Sequence, residues 1–200
     1  MRARAVAAAL AATAVAATLA GCAASHPGTV AAGRAAPSPS TAASAAPMAS
    51  AAALPVALPS PDSVSYADPS AVSQAVVIIQ WTVDTVTDSS QYQAELRSAP
   101  FLAPAYLAQL RANPPVAAPG YQWNLWAAHR AYTTVSAVAE HDDQPADTPT
   151  TADRQWGITI TPHGAGGWTA APLTATVFVQ LSRSGPGQPW LVSDILADPS

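Results

Sequence analysis

The chain has 200 residues, 8 basic and 12 acidic side chains, a formal net charge of −4 and a charged fraction of only 10%. Its cations are all arginine and are scattered, which excludes the clustered basic surface that nucleic-acid binding needs. A single cysteine excludes an internal disulfide framework.

Residues 1–21 have the parts of an export signal. Arg2 and Arg4 form a basic start, and Ala5 to Ala20 is a 16-residue run without charge. A membrane-spanning helix needs roughly 20 apolar residues, so the run fits a cleaved signal better than a permanent span. Leu19-Ala20-Gly21-Cys22 follows, and Cys22 is the one cysteine. This tetrapeptide resembles the lipobox of bacterial lipoproteins. The resemblance implies a diacylglyceryl group on the Cys22 thiol, cleavage before Cys22, and an extracytoplasmic, membrane-attached protein. Two or more acyl chains give stable anchoring where one gives marginal binding. A modified Cys22 leaves no thiol for metal, disulfide or catalysis.

Removal of the leader leaves Arg34, Arg97, Arg111, Arg130, Arg154 and Arg183 against the 12 acids. This balance argues against electrostatic docking on anionic lipid, so attachment to the membrane is hydrophobic. The low charged fraction, where about 25% is usual, predicts a surface of Thr, Ser, Gln and Pro with one face covered by a partner.

Residues 22–66 form a lipid-anchored linker rich in Ala, Pro and Ser. Seven prolines lie in it, with Arg34 and Asp62 as its charges and no aromatic residue before Tyr66. Such a composition buries too little apolar surface to offset chain entropy. The segment reads as a disordered spacer.

From residue 67 to 200 the texture is that of one folded domain, with all six tryptophans and both phenylalanines. Asp68-Pro69 is a helix start. Val72, Val76, Ile79, Val83 and Val86 recur at steps of 4 and 3, which predicts one long helix that carries Asp84 near its end. Ser89-Ser90 caps a short helix with Tyr92 and Leu96 on one face, closed by Pro100. A third helix begins near Pro104 and stops at Pro114-Pro115. The period then changes. The aromatic segment Tyr121 to Trp126 leads into a strand from Ala131 to Glu140. Residues 142–153 read as an acidic Pro/Thr loop. Arg154 to Thr161, Leu173 to Ser182 and Trp190 to Leu196 alternate as strands. Helices followed by an antiparallel meander predict an α+β domain: N-terminal helices packed on a curved sheet of about four strands.

This order, with Val177-Phe-Val-Gln-Leu-Ser-Arg183, a Gly/Pro loop and Trp190-Leu-Val-Ser-Asp-Ile195, resembles the nuclear transport factor 2-like superfamily. Arg97 to Leu110, with its spaced Pro100 and Pro104, is similar to the TcpC-like branch. That resemblance implies an extracytoplasmic domain of a conjugation or type IV secretion assembly. The branch is usually anchored by a transmembrane helix, and the lipid anchor read here departs from it.

Enzymes of the superfamily place Asp, His or Tyr inside the cone between helix and sheet. The resemblance therefore singles out Asp84, His129 and Asp194 as pocket residues, with Trp156 and Phe178 as its walls. A carboxylate among apolar neighbours, paired with a histidine, is the chemistry of acid–base catalysis. The competing reading leaves Asp84, His129 and Asp194 as ordinary solvated or ion-paired residues. No metal site or cofactor is expected. His141-Asp142-Asp143 is consecutive, without a spaced partner, and Gly164 to Gly167 opens no helix that would cradle phosphate. No nucleophile elbow is present. The favoured function is a non-enzymatic interaction or scaffold lipoprotein of the cell envelope, accessory to conjugation or secretion. The alternative is a cone that binds or converts a small apolar ligand or lipid.

Overall fold

The computed structural model describes residues 54–141 and 144–199. Residues 1–53, where the export signal, Cys22 and most of the linker are expected, lie outside the described residues, as do Asp142, Asp143 and Ser200. Leu58, Val64 and Tyr66 pack against the core. The packed unit thus takes in residues that composition places in the linker. Tyr66 stacks on Phe101 at 5.6 Å between ring centroids, and its carbonyl accepts from Trp190 N at 2.9 Å.

The architecture is α+β, as expected. Helices α1 (Pro69–Trp81), α2 (Gln91–Arg97), α3 (Pro104–Ala112) and α4 (Tyr121–Ala128) precede strands β1 (Tyr132–Glu140), β2 (Thr151–His163), β3 (Leu173–Ser182) and β4 (Leu191–Pro199). The strands form one antiparallel sheet in the order β1-β2-β3-β4. Helix α1 starts on the Asp68 cap, whose carboxylate accepts from Ser70 N, with Pro69 at the first position. It buries Val72, Val76 and Ile79 against the sheet residues Trp156, Ile158, Val177 and Val179. The indole of Trp156 donates to Ser73 Oγ on α1 at 3.1 Å. Helix α2 opens with a capping box between Ser90 and Gln93.

Four features differ from the expectation. Helix α1 ends at Trp81, before Val83 and Val86. The next residues extend along β1 instead: Thr133 N donates to Val83 O at 2.9 Å and Thr85 N to Ala131 O at 3.0 Å. The helical period continues by coincidence into a β-branched segment that the sheet edge captures. Val83 is buried there, whereas Val86 is exposed. Asp84 therefore does not ride on the helix; it bridges to Tyr132 in the β1 edge.

The aromatic segment before β1 is itself a helix, α4, with Gly120 as its N-cap. It buries Trp126 only, so it shows no amphipathic stripe in sequence. Strand β2 starts at Thr151, three residues earlier than alternation indicates, and β4 runs from Leu191 on to Pro199.

The fourth difference matters most. The register between β3 and β4 shifts at Gln180/Leu181, where Leu181 faces Val192 but Gln180 faces Asp194. Ser193 is the extra residue of a β-bulge, and a bulge reverses the parity of everything after it. Trp190 and Val192 point to the core. Beyond the bulge, Ile195 takes the inward position, while Asp194 and Leu196 turn to solvent.

Candidate functional site

The sheet has two unlike faces. Its inner face carries Val135, Trp156, Ile158, Val177, Val179, Leu181 and Val192 under α1. No element lies over its outer face among the described residues. Strand pairing sets that face in rows: Glu140 beside Gln155, Phe178 and Leu196; then Asp153 beside Gln180 and Asp194. Along a strand, same-face neighbours are two residues or about 7 Å apart.

All of these row residues but Glu140 line an open groove of about 340 Å³, together with Arg154, Val179 and, from the β1–β2 connection, Gln144 and Pro145. Phe178 is 42% exposed and Leu196 67% exposed on its floor. Gln155 Nε2 donates to Glu140 Oε2 at 2.8 Å. The Glu140 carboxylate lies across Gly157, where an added Cβ would collide with it. Neither of the two ion pairs among the described residues, Arg97–Asp88 and Arg154–Asp147, involves Glu140, Asp153 or Asp194. The arginines nearby are engaged elsewhere. Arg154 donates to both oxygens of Asp147 at 2.8 Å and to Ser70 on α1. Its hydrogen bonds, stronger than the cost of burial, hold the Asp147 carboxyl below the usual carboxylate value. Arg183 lies 4.2 Å over the Trp190 ring.

Of the residues singled out from sequence, Trp156 is 5% exposed and belongs to the core. Phe178 is on the opposite face and does not wall the cone. Asp84 is 8% exposed. Its carboxylate accepts from Val86 N at 2.9 Å, and its own N–H donates to Asp88 Oδ2 at 3.0 Å. Asp88 in turn pairs with Arg97, which also donates to Thr82 O at 2.6 Å. Asp84 thus sits in a polar knot that closes the turn after α1. His129 caps the C-terminus of α4 and stacks flat on Trp168, with 4.1 Å between ring centroids. Gly164 makes this stack possible, since a Cβ there would sit 2.7 Å from the indole. Asp194 is exposed, and its carboxylate accepts from Ile195 N at 2.9 Å.

No hydrogen bond joins Asp84, His129 and Asp194. The structure brings Phe178 and Asp194 together, in the outer groove, and leaves Asp84, His129 and Trp156 elsewhere. Sequence reasoning missed Asp153, Gln155, Gln180 and Leu196 as groove residues. The available signal was a phenylalanine among Thr174, Thr176 and Gln180 on the polar side of β3.

A second open cavity, of about 490 Å³, lies between α2, the proline-rich connection 113–120 and Trp123 of α4. Glu95 lines it, and burial pushes its carboxyl above the usual 4.5. Burial, with smaller effects of Asp194 and Glu95, raises the phenol of Tyr106 on α3. Among the described residues no three His, Cys, Asp or Glu side chains gather as a metal site, and no helix is long and apolar enough to cross a membrane.

No protein-family model matches the chain. No curated protein matches it either. Among solved structures, the chain is similar to the periplasmic domain of DotI, at 14% identity over 66% of this chain and 96% of that one, with a TM-score of 0.46. It is also similar to an IcmL-like type IV secretion system protein from Legionella pneumophila, at 14% identity over 64% of this chain and 88% of that one, with a TM-score of 0.44. The VirB8 protein of Agrobacterium tumefaciens is alike at 16% identity over 66% of this chain and 90% of that one, with a TM-score of 0.42. The α+β architecture stands on this chain's own sheet order and register.

Proposed function

We propose that residues 67–200 act as a non-enzymatic interaction domain of the cell envelope. A lipid on Cys22 holds it at the outer face of the cytoplasmic membrane, and the linker lets it reach a neighbouring protein. The carrying observation is the groove on the outer sheet face, uncovered among the described residues, with Phe178 and Leu196 exposed on its floor. Exposed apolar surface rimmed by polar groups marks a contact surface. The accessory role in conjugation or secretion follows from the sequence resemblance of residues 97–110 and 177–195.

The alternative is binding of a small apolar ligand, with the cavity beside Trp123 as its site; its 490 Å³ lies within the ~300–1,000 Å³ of small-molecule pockets. Crosslinking on intact cells separates the two. Capture of a secretion or conjugation component supports the interaction domain. Co-purification of a lipid or small molecule, with no protein captured, supports the alternative. Cys22→Ser is expected to move the protein from the membrane to the soluble fraction and to abolish acyl labelling. Retention of Cys22→Ser in the membrane contradicts the anchor.

A further inference from the structure

We infer that the outer groove binds a cationic, apolar segment of another protein, with the segment extended and its arginines or lysines two positions from its apolar side chains. This rests on the interaction reading above and gives the partner its chemistry.

Three observations carry it. The floor is apolar, formed by Phe178 and Leu196 paired across β3 and β4. The rim is acidic. Asp153 and Asp194 flank Gln180 in the next row, and Glu140 ends the floor row. None of the three is ion-paired among the described residues, because Arg154 is taken by Asp147 and Ser70, and Arg183 by Trp190 and the Pro149 carbonyl. Finally, the spacing is fixed. The apolar row and the acidic row are one same-face step apart, about 7 Å, which is also the i, i+2 distance in an extended chain.

Like charge makes a second copy a poor occupant. Beyond residue 21 the chain carries 6 basic against 12 acidic side chains, and an identical groove would set Asp153 and Asp194 against carboxylates. The chain's own linker is nearly uncharged, with Arg34 as the one cation between residues 23 and 53. A segment from a different protein supplies the missing charge. Such complementarity governs partner choice and encounter rate more than total affinity.

The test is fluorescence anisotropy on the full-length chain. The probe is a labelled synthetic peptide with leucine and arginine alternating at every second position on a serine background. Two controls replace arginine by glutamate, or move each arginine next to leucine so that the two point to opposite sides. The arginine probe is expected to bind at least about tenfold tighter than either control, and more weakly as salt rises. Asp153→Asn with Asp194→Asn is expected to lower its affinity about tenfold, and Asp62→Asn to leave it unchanged. Equal binding of the glutamate or shifted peptide, or equal loss in Asp62→Asn, overturns the inference.

A photo-crosslinking amino acid at Leu196 in intact cells identifies the occupant. Crosslinks to a basic, apolar-alternating segment of another protein support the inference. Crosslinks to a second copy or to residues 23–53 of the same chain overturn it. A crosslink to a non-basic protein segment also overturns it, while leaving the interaction domain standing.

Discussion

Thr133 shows how one side chain decides where a helix becomes an edge. It is wholly buried. Its hydroxyl donates to Trp81 O at 2.7 Å and accepts from Val83 N at 2.9 Å. Those are the last carbonyl of α1 and an amide of the segment that lines β1. Thr133→Val keeps the shape and strands both backbone groups. A buried polar group left without its partner costs about 1–3 kcal/mol, so a loss of about 3 kcal/mol is expected in urea unfolding. Glu95 acts at the same scale through pH. Burial raises its native carboxyl above the usual 4.5, so the native state holds a proton that the unfolded chain has released. Its contribution is fully present below 4.5 and is lost as pH rises through the raised native value. Glu95→Gln is expected to flatten the pH dependence of unfolding across that window and to be the more stable protein above it. An unchanged pH slope contradicts the burial.

At the scale of elements, the bulge at Ser193 sets which face β4 presents. Deletion of Ser193 removes the unpaired residue and restores strict alternation. Val192 and Ile195 stay inward, and Asp194 and Leu196 stay outward. A cooperative thermal transition is therefore expected to survive the deletion. Loss of cooperative unfolding contradicts the register, because in an unbulged strand the same deletion would turn the Asp194 carboxylate into the core. Much of the rest was legible in sequence. Residues Leu173 to Ser182 alternate cleanly because β3 is central, with one face buried and one wet. The Asp68-Pro69 start and the Ser90 cap announce their helices through hydrogen bonds made within a few residues. What stayed hidden depends on distant partners. Thr82 to Thr85 continues a helical period and is diverted by hydrogen bonds to residues 131–133. Helix α4 buries one tryptophan and has no stripe to read. A one-residue bulge leaves no mark in composition, and it moved Asp194 from the expected cone to the outer groove.

At the scale of the whole molecule, the two sheet faces divide labour. The inner face is spent on stability, with Trp156 fixed to α1 and Val177, Val179 and Val192 beneath it. The outer face keeps Phe178 and Leu196 in water, beside carboxylates that form no ion pair among the described residues. Exposed side chains of this kind add little to folding. Interaction through the outer face is therefore separable from stability. The most direct measurement pairs urea unfolding with intact-cell crosslinking for Phe178→Thr/Leu196→Thr. Threonine keeps the strand preference. Unfolding free energy is expected to stay within about 1 kcal/mol of wild type, while the crosslinked protein partner disappears. Undiminished capture of the partner by a folded double variant would contradict the outer sheet face as the site of interaction.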